Sequence, residues 1–152
     1  VISPAWRPRL AASAAIIEEE AVRFGDDWWI IGSAAAALSG AALAEINDVD
    51  LLLSERDARA LIDRWRARVR SAVGPSGQFR SKVFAHFAEL PLPVDVMGGF
   101  EMRVGGAWRN VVPLTRERRG GVYTPSIAEQ IELLEAMGRE KDRQRIAALR
   151  AI

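Results

Sequence analysis

The sequence contains no cysteine and one histidine. Disulfide scaffolds, thiolate metal sites and cysteine nucleophiles are therefore excluded, and so is a histidine-rich metal centre. The absence of cysteine fits a reducing compartment, so a cytoplasmic location is expected. No apolar run reaches the roughly 18 residues that a membrane helix needs, so no membrane partner is expected. Charge of one sign is not in excess either. Lys and Arg total 21 against 20 Asp and Glu, which leaves no field strong enough to call for nucleic acid or an anionic surface. Internal repeats and low-complexity linkers are also missing. The 152 residues suit one domain over 1–152, long enough to bury a core without a metal or disulfide.

What is present alternates between helical and strand patterns. The N-terminal "RPRLAASAAIIEEE" resembles a signal peptide only in outline, because its apolar run is short and ends in three glutamates. It reads as a helix with Leu10, Ala14, Ile17, Ala21 and Phe24 on one face. Trp28 to Ile31 reads as a buried strand that ends in Gly32-Ser33. "AAAALSGAAL" reads as a helix of small residues, and "DVDLLL" as a second strand. Ser54 with Asp57 forms a capping-box pattern for a helix that carries Ala58, Leu61, Ile62, Trp65 and Val69 on one face. Val73 to Gln78 reads as a loop. "FRSKVFAHF", "LPVDVM", "FEMRV" and "AWRNVV" read as strands, the last two joined at Gly105-Gly106. Thr124 with Pro125 opens a helix whose stripe is Ile127, Ile131, Leu134 and Met137. Gly138 breaks it, and residues 139–152 form a last helix. The expected fold is a mixed α/β (α+β) domain: a largely antiparallel second half, a core over about 26–97 and a C-terminal helical part over about 124–152.

One stretch conflicts with its surroundings. "INDVDLLLS" finishes as a buried strand yet begins with two carboxylates. Residues i and i+2 of a strand share a face, so Asp48 and Asp50 stand side by side. Two such charges about 4 Å apart repel by about 4 kcal/mol at an effective dielectric near 20. A divalent cation reverses that sign, and hard cations such as Mg²⁺ take carboxylate oxygens together with substrate phosphates. The plainer reading is a pair of solvated residues at a strand entry. Gly32-Ser33 opens a helix, where free N–H groups favour phosphate; an ordinary N-cap serine reads the same way. Asp95, between Val94 and Val96, is a lone carboxylate in another apolar strand, unless that strand is an edge.

An apolar strand, Gly-Ser, a helix, Asp-x-Asp and a third Asp on a later strand together resemble the nucleotidyltransferase superfamily related to DNA polymerase β. The resemblance covers roughly residues 26–97. Within it the chain is most similar to small bacterial stand-alone members, both antibiotic nucleotidyltransferases and toxin-type enzymes of abortive-infection and toxin–antitoxin systems. The resemblance implies a nucleotidyltransferase-like mixed sheet flanked by helices. It also implies an enzyme that moves a nucleoside monophosphate from an NTP, ATP being the commonest, to a hydroxyl and releases pyrophosphate. By the same resemblance Asp48, Asp50 and Asp95 hold two Mg²⁺ ions, and Asp95 helps deprotonate the acceptor. Gly32 and Ser33 contact the triphosphate. The acceptor is a small molecule or a protein, and an antitoxin partner or self-association comes with the toxin-type likeness. Two features depart from the pattern: Ser33 stands where some members have Gly, and the helix between the motifs is rich in alanine.

Further candidates surround this set. Arg80, Lys82 and His86 share one strand face under regular alternation and could touch phosphates or the acceptor; a solvated basic face explains them equally. "GREKD" resembles a C-terminal helix motif of these enzymes, which implies Lys141 on a phosphate and Asp142 paired with an arginine. Arg56, Arg59, Arg64, Arg66, Arg68 and Arg70 crowd one helix, where Glu55, Asp57 and Asp63 dilute them into a solvated face. Trp108 stacks on a ring or packs the hairpin. Two rivals to the enzyme follow: a silent nucleotide- or partner-binding module of the same fold, and an RNA-binding protein using the arginine-rich helix.

Overall fold

The computed structural model describes residues 3–68, the backbone of 70–71, and residues 77–152. Val69, expected on a helix face, the side chain of Arg70, and most of the expected loop (residues 73–76) lie outside the described residues. In chain order the elements are α1 (Trp6–Ala21), β1 (Trp29–Ile31), α2 (Gly32–Leu38), β2 (Val49–Leu53), α3 (Glu55–Arg64), β3 (Arg70–Ser71) and β4 (Phe79–Phe87). They continue with β5 (Val94–Val104), β6 (Ala107–Asn110), β7 (Glu117–Arg119), β8 (Val122–Thr124), α4 (Ile127–Met137) and α5 (Glu140–Arg150).

Six strands form one mixed sheet in the order β1-β2-β5-β4-β3, with β6 on the far part of β5. β2 and β5 run parallel, while β1, β4 and β6 pair antiparallel with their neighbours. Strand alternation divides the core into two layers. Val49, Leu51, Leu53, Val94 and Val96 join the layer that contains α1 and α3 residues such as Ile17 and Leu61. Ile31, Leu52 and Met97 face the other way and meet Leu134 of α4 and Ile146 and Leu149 of α5. This resolves the conflict in "DVDLLL": odd-numbered residues of β2 fill one layer, and Asp50 shares the opposite face with Leu52.

The sequence pattern predicts separate strands at 92–97 and 100–104; they are one eleven-residue strand, β5. Gly98 and Gly99, between those two stretches, are places where α3 comes close. A Cβ on Gly98 would stand 2.6 Å from the Ala58 Cβ. Gly99 has φ +63 and would meet the Glu55 side chain at 3.0 Å. The ladder with β4 pairs Val83 with Gly98 and Ser81 with Phe100, and the alternation changes phase between those pairs. Met97, Phe100 and Met102 consequently reach the same core layer.

Other elements also differ in detail. The alanine-rich helix stops at Leu38 instead of running to Leu43. Phe24 packs beyond the end of α1, edge-on to Trp28. The β7–β8 hairpin carries no alternation signal in the sequence; it is held by pairing from Glu117↔Thr124 to Arg119↔Val122. Ser126, not Thr124, caps α4 by accepting from the Glu129 N–H at 3.1 Å, while the Thr124 hydroxyl donates to the Pro125 carbonyl. At α3 the Ser54 hydroxyl does accept from the Asp57 N–H, at 3.2 Å. The Asp57 carboxylate does not close the box; it accepts from the Gly25 and Asp26 N–H groups, each at 2.9 Å, and ties the loop before β1 to α3.

Candidate active site

One row of register positions crosses the sheet: Ile31 on β1 pairs with Asp50 on β2, Asp50 with Asp95 on β5, and Asp95 with His86 on β4. Asp48 precedes β2 by one residue and lies on the same side as Asp50. One carboxylate oxygen from each of Asp48, Asp50 and Asp95 lies within 4.8 Å of the other two. His86 Nδ1 is hydrogen-bonded to Asp95 Oδ1. Three part-buried carboxylates form an all-oxygen donor set suited to a hard divalent cation.

The electrostatics agree. Burial, reinforced by Asp48 and Asp95, pushes the Asp50 carboxyl up to about 8. Asp48 is also raised, by burial first and then by Asp95, against the opposing pull of His86, Arg145 and Lys141. The metal-free cluster thus holds a proton that a cation would displace.

Gly32 brings backbone against the triad. Its φ is +72, and a Cβ there would stand 2.8 Å from Asp50 Oδ2. Both the conformation and the approach require glycine. Ser33 follows, 7% exposed, and its hydroxyl makes no side-chain hydrogen bond among the described residues.

The triad opens on a cavity of about 300 Å³. Phe79, Phe84, Met97 and Phe100 form its floor, and Met137, Arg139, Lys141 and Arg145 reach it from the α4–α5 junction. Two of these cations are fixed by Asp142, which is fully buried. Its carboxylate takes the Arg139 Nε at 2.7 Å, the Arg139 backbone N–H at 3.1 Å and the Arg145 Nη1 at 3.5 Å. The Arg139 guanidinium also lies over the Phe79 ring, 4.9 Å from its centroid. A cleft with one acidic wall, an apolar floor and a basic rim can take a polyanion attached to an apolar body.

No protein-family model matches the chain, and no curated protein does. Among solved structures, one described as that of a "putative nucleotidyltransferase" from Thermotoga maritima superposes with a TM-score of 0.73. The match covers 93% of this chain and 92% of that one at 20% identity. The chain has a nucleotidyltransferase-like fold.

Within that nucleotidyltransferase-like fold the candidates from the sequence separate. Asp48, Asp50, Asp95, Gly32, Ser33, Arg80 and Lys141 line the triad's cavity. Lys82 does not. The phase change at Gly99 turns it to the α3 side, where its Nζ is 3.5 Å from Glu55. Arg80 reaches the cavity edge but is held by Glu101 at 3.0 Å and stacks on Trp108 at 4.1 Å, which gives Trp108 a packing role. The expected common face of Arg80, Lys82 and His86 therefore does not exist. The expected arginine-rich helix ends at Arg64, so Arg66, Arg68 and Arg70 lie beyond α3 and share no helix face with Arg56 and Arg59. Arg56 pairs with Asp26, Arg64 with Glu20 and Arg66 with Asp63, and Arg68 lies over Trp65. Arg139 and Arg145 are the cavity cations that sequence reasoning missed. The signal available for Arg145 is its i+3 spacing from Asp142 on α5.

Proposed function

We propose that the chain is a metal-dependent nucleotidyltransferase that moves a nucleoside monophosphate from an NTP to a hydroxyl of a small molecule or protein. The observation that carries this reading is the convergence of Asp48, Asp50 and Asp95 beside the Gly32 turn, inside a nucleotidyltransferase-like fold. The donor set fits Mg²⁺, with Asp48, Asp50 and Asp95 as its ligands. When bound, such ions supply charge neutralisation on the phosphates and acidify a coordinated hydroxyl.

The chain's own residues then divide the work. Gly32 and Ser33 lie against the triphosphate, and Arg139, Lys141 and Arg145 supply positive charge opposite it. The apolar floor accepts the base or the body of the acceptor. The acceptor oxygen bonds to the α-phosphorus, the bond to the bridging oxygen breaks, and that electron pair leaves with pyrophosphate. Asp95 takes the hydroxyl proton. Chemistry of this kind depends on position and electrostatics more than on a protein nucleophile, which suits a chain with no cysteine and one histidine. ATP is the first nucleotide to try. A toxin-type role with an antitoxin partner, self-association and a cytoplasmic setting belong to the same reading; among the described residues no helix is long and apolar enough to cross a membrane.

The test is incubation with each NTP and Mg²⁺ in cell extract, followed by mass spectrometry for an added nucleotide on protein or small molecule. An adduct that disappears with Asp50→Asn supports the reading. Absence of any adduct, together with no Mg²⁺-dependent thermal shift by any NTP, overturns it in favour of a silent fold relative.

A further inference from the structure

Asp95 differs from its two partners in having a neighbour of its own. His86 stands opposite it in the β4–β5 ladder, and the imidazole Nδ1 is bonded to Asp95 Oδ1. Both side chains are mostly covered, 26% exposed for His86 and 17% for Asp95. The strand that carries His86 is anchored on the opposite face. Phe87 is fully buried and meets the Trp65 ring edge-on, with centroids 5.1 Å apart. The backbone that aims the imidazole is thus fixed by packing, and the imidazole can in turn fix the carboxylate.

We propose that His86 is the positioning residue for Asp95. Its Nδ1–H donates to Asp95 Oδ1 and keeps that carboxylate aimed at the point it shares with Asp48 and Asp50. This inference rests on the metal-binding reading above. Toward an ionised carboxylate, which only accepts, the shared hydrogen must come from Nδ1, so a neutral ring that makes this bond is the Nδ1–H tautomer. Hydrogen-bond partners of this kind orient a ligand and commonly account for 10–100-fold in metal affinity. His86 touches neither substrate nor metal in this arrangement and acts only through Asp95.

Two measurements test it. The chain has a single histidine, so a long-range ¹H–¹⁵N spectrum of the metal-free protein reports one imidazole. The Nδ1–H pattern in the neutral ring is expected, and the Nε2–H pattern overturns the proposal without any variant being made. The second measurement is Mn²⁺ binding followed by electron paramagnetic resonance, with thermal unfolding as a check on folding. His86→Asn places an amide nitrogen where Nδ1 stands and should bind like the parent. His86→Gln and His86→Leu should bind about 10–100-fold more weakly at an unchanged melting temperature. Equal affinity in all three variants, while Asp95→Asn loses binding, overturns the role of His86 and leaves the metal site intact. So does equal loss in the Asn and Gln variants. A parent protein that binds no Mn²⁺ overturns the metal site, and this inference with it.

Discussion

Asp50 and Asp95 are partners in the parallel β2–β5 ladder, and their carboxylates share one small volume with that of Asp48. Without a cation the protein gains nothing from that proximity. Asp50→Asn keeps the shape and is neutral without taking up a proton on folding, so the metal-free protein should become more stable near neutral pH, by about 1 kcal/mol or more and by a few degrees in melting temperature. If the proposed function holds, Mg²⁺ with NTP should shift the melting temperature of the parent, and the same variant should lose that shift and the transfer with it. Differential scanning calorimetry in EDTA and in Mg²⁺ checks both halves. A destabilised metal-free variant would contradict the account of the site as a cluster of conflicting charges.

The pH dependence follows from the same carboxyl. Folding raises Asp50 from its ordinary value of 3.8 to about 8. Between those values the native state holds a proton that the unfolded chain has released, so this group's contribution to stability falls as pH rises from about 4 and levels off above about 8. Metal needs the ionised form, so affinity moves the opposite way. Melting temperatures at pH 5, 7 and 9 should show the gap between Mn²⁺-loaded and EDTA-treated protein widening with pH. A gap that stays constant or narrows would exclude Asp50 as a ligand that exchanges a proton for metal.

Gly32 offers a sharper test of the turn. An alanine there takes on a left-handed backbone that costs about 1–2 kcal/mol, and its Cβ would stand 2.8 Å from Asp50 Oδ2. Gly32→Ala should lower stability by at least that amount and also weaken Mn²⁺ binding, because Asp50 must move. Gly105→Ala takes on a similar backbone strain, at φ +58, with nothing within 4 Å of the new Cβ. It should lose stability and keep Mn²⁺ affinity. If the two variants bind Mn²⁺ equally well, the closeness of Gly32 to the triad has no bearing on the metal.

The triad was legible in the sequence because its signal is short-range and ordered. Asp-x-Asp puts two side chains on one face whatever surrounds them, and an apolar strand around Asp95 marks the third. The residues that were misplaced depend on longer-range geometry. Lys82 follows its strand's alternation in sequence, yet Gly99 on the neighbouring strand changes the phase and sends it to Glu55. The two stretches 92–97 and 100–104 read as separate strands, whereas Gly98 between them continues one strand and makes room for Ala58 of α3. Thr124-Pro125 has the letters of a helix start, but pairing of Thr124 with Glu117 draws it into a hairpin. Arg145 looks like one more charge on a polar helix until Asp142 disappears beneath it.

That last pair supports the final prediction. Asp142 is fully buried and faces two guanidiniums that keep some solvent, with Arg139 33% and Arg145 21% exposed. Removing the anion leaves both cations without their anchor. Asp142→Ala should cost about 2–3 kcal/mol, less than the 3–5 typical when a fully buried pair is broken, because the arginines can rehydrate. Arg145→Met tests the cation alone. It retains an apolar stem in place of the charge that opposes the upward shift of Asp50 and Asp48. The two variants should separate. Asp142→Ala lowers the melting temperature by several degrees. Arg145→Met leaves it nearly unchanged, weakens binding of Mg²⁺–ATP about tenfold, and moves the pH midpoint for Mn²⁺ binding upward. Isothermal titration across pH reads the last two effects together. Unchanged nucleotide affinity in Arg145→Met would place the triphosphate elsewhere in the cavity and leave Lys141 and Arg139 as the cations that hold it.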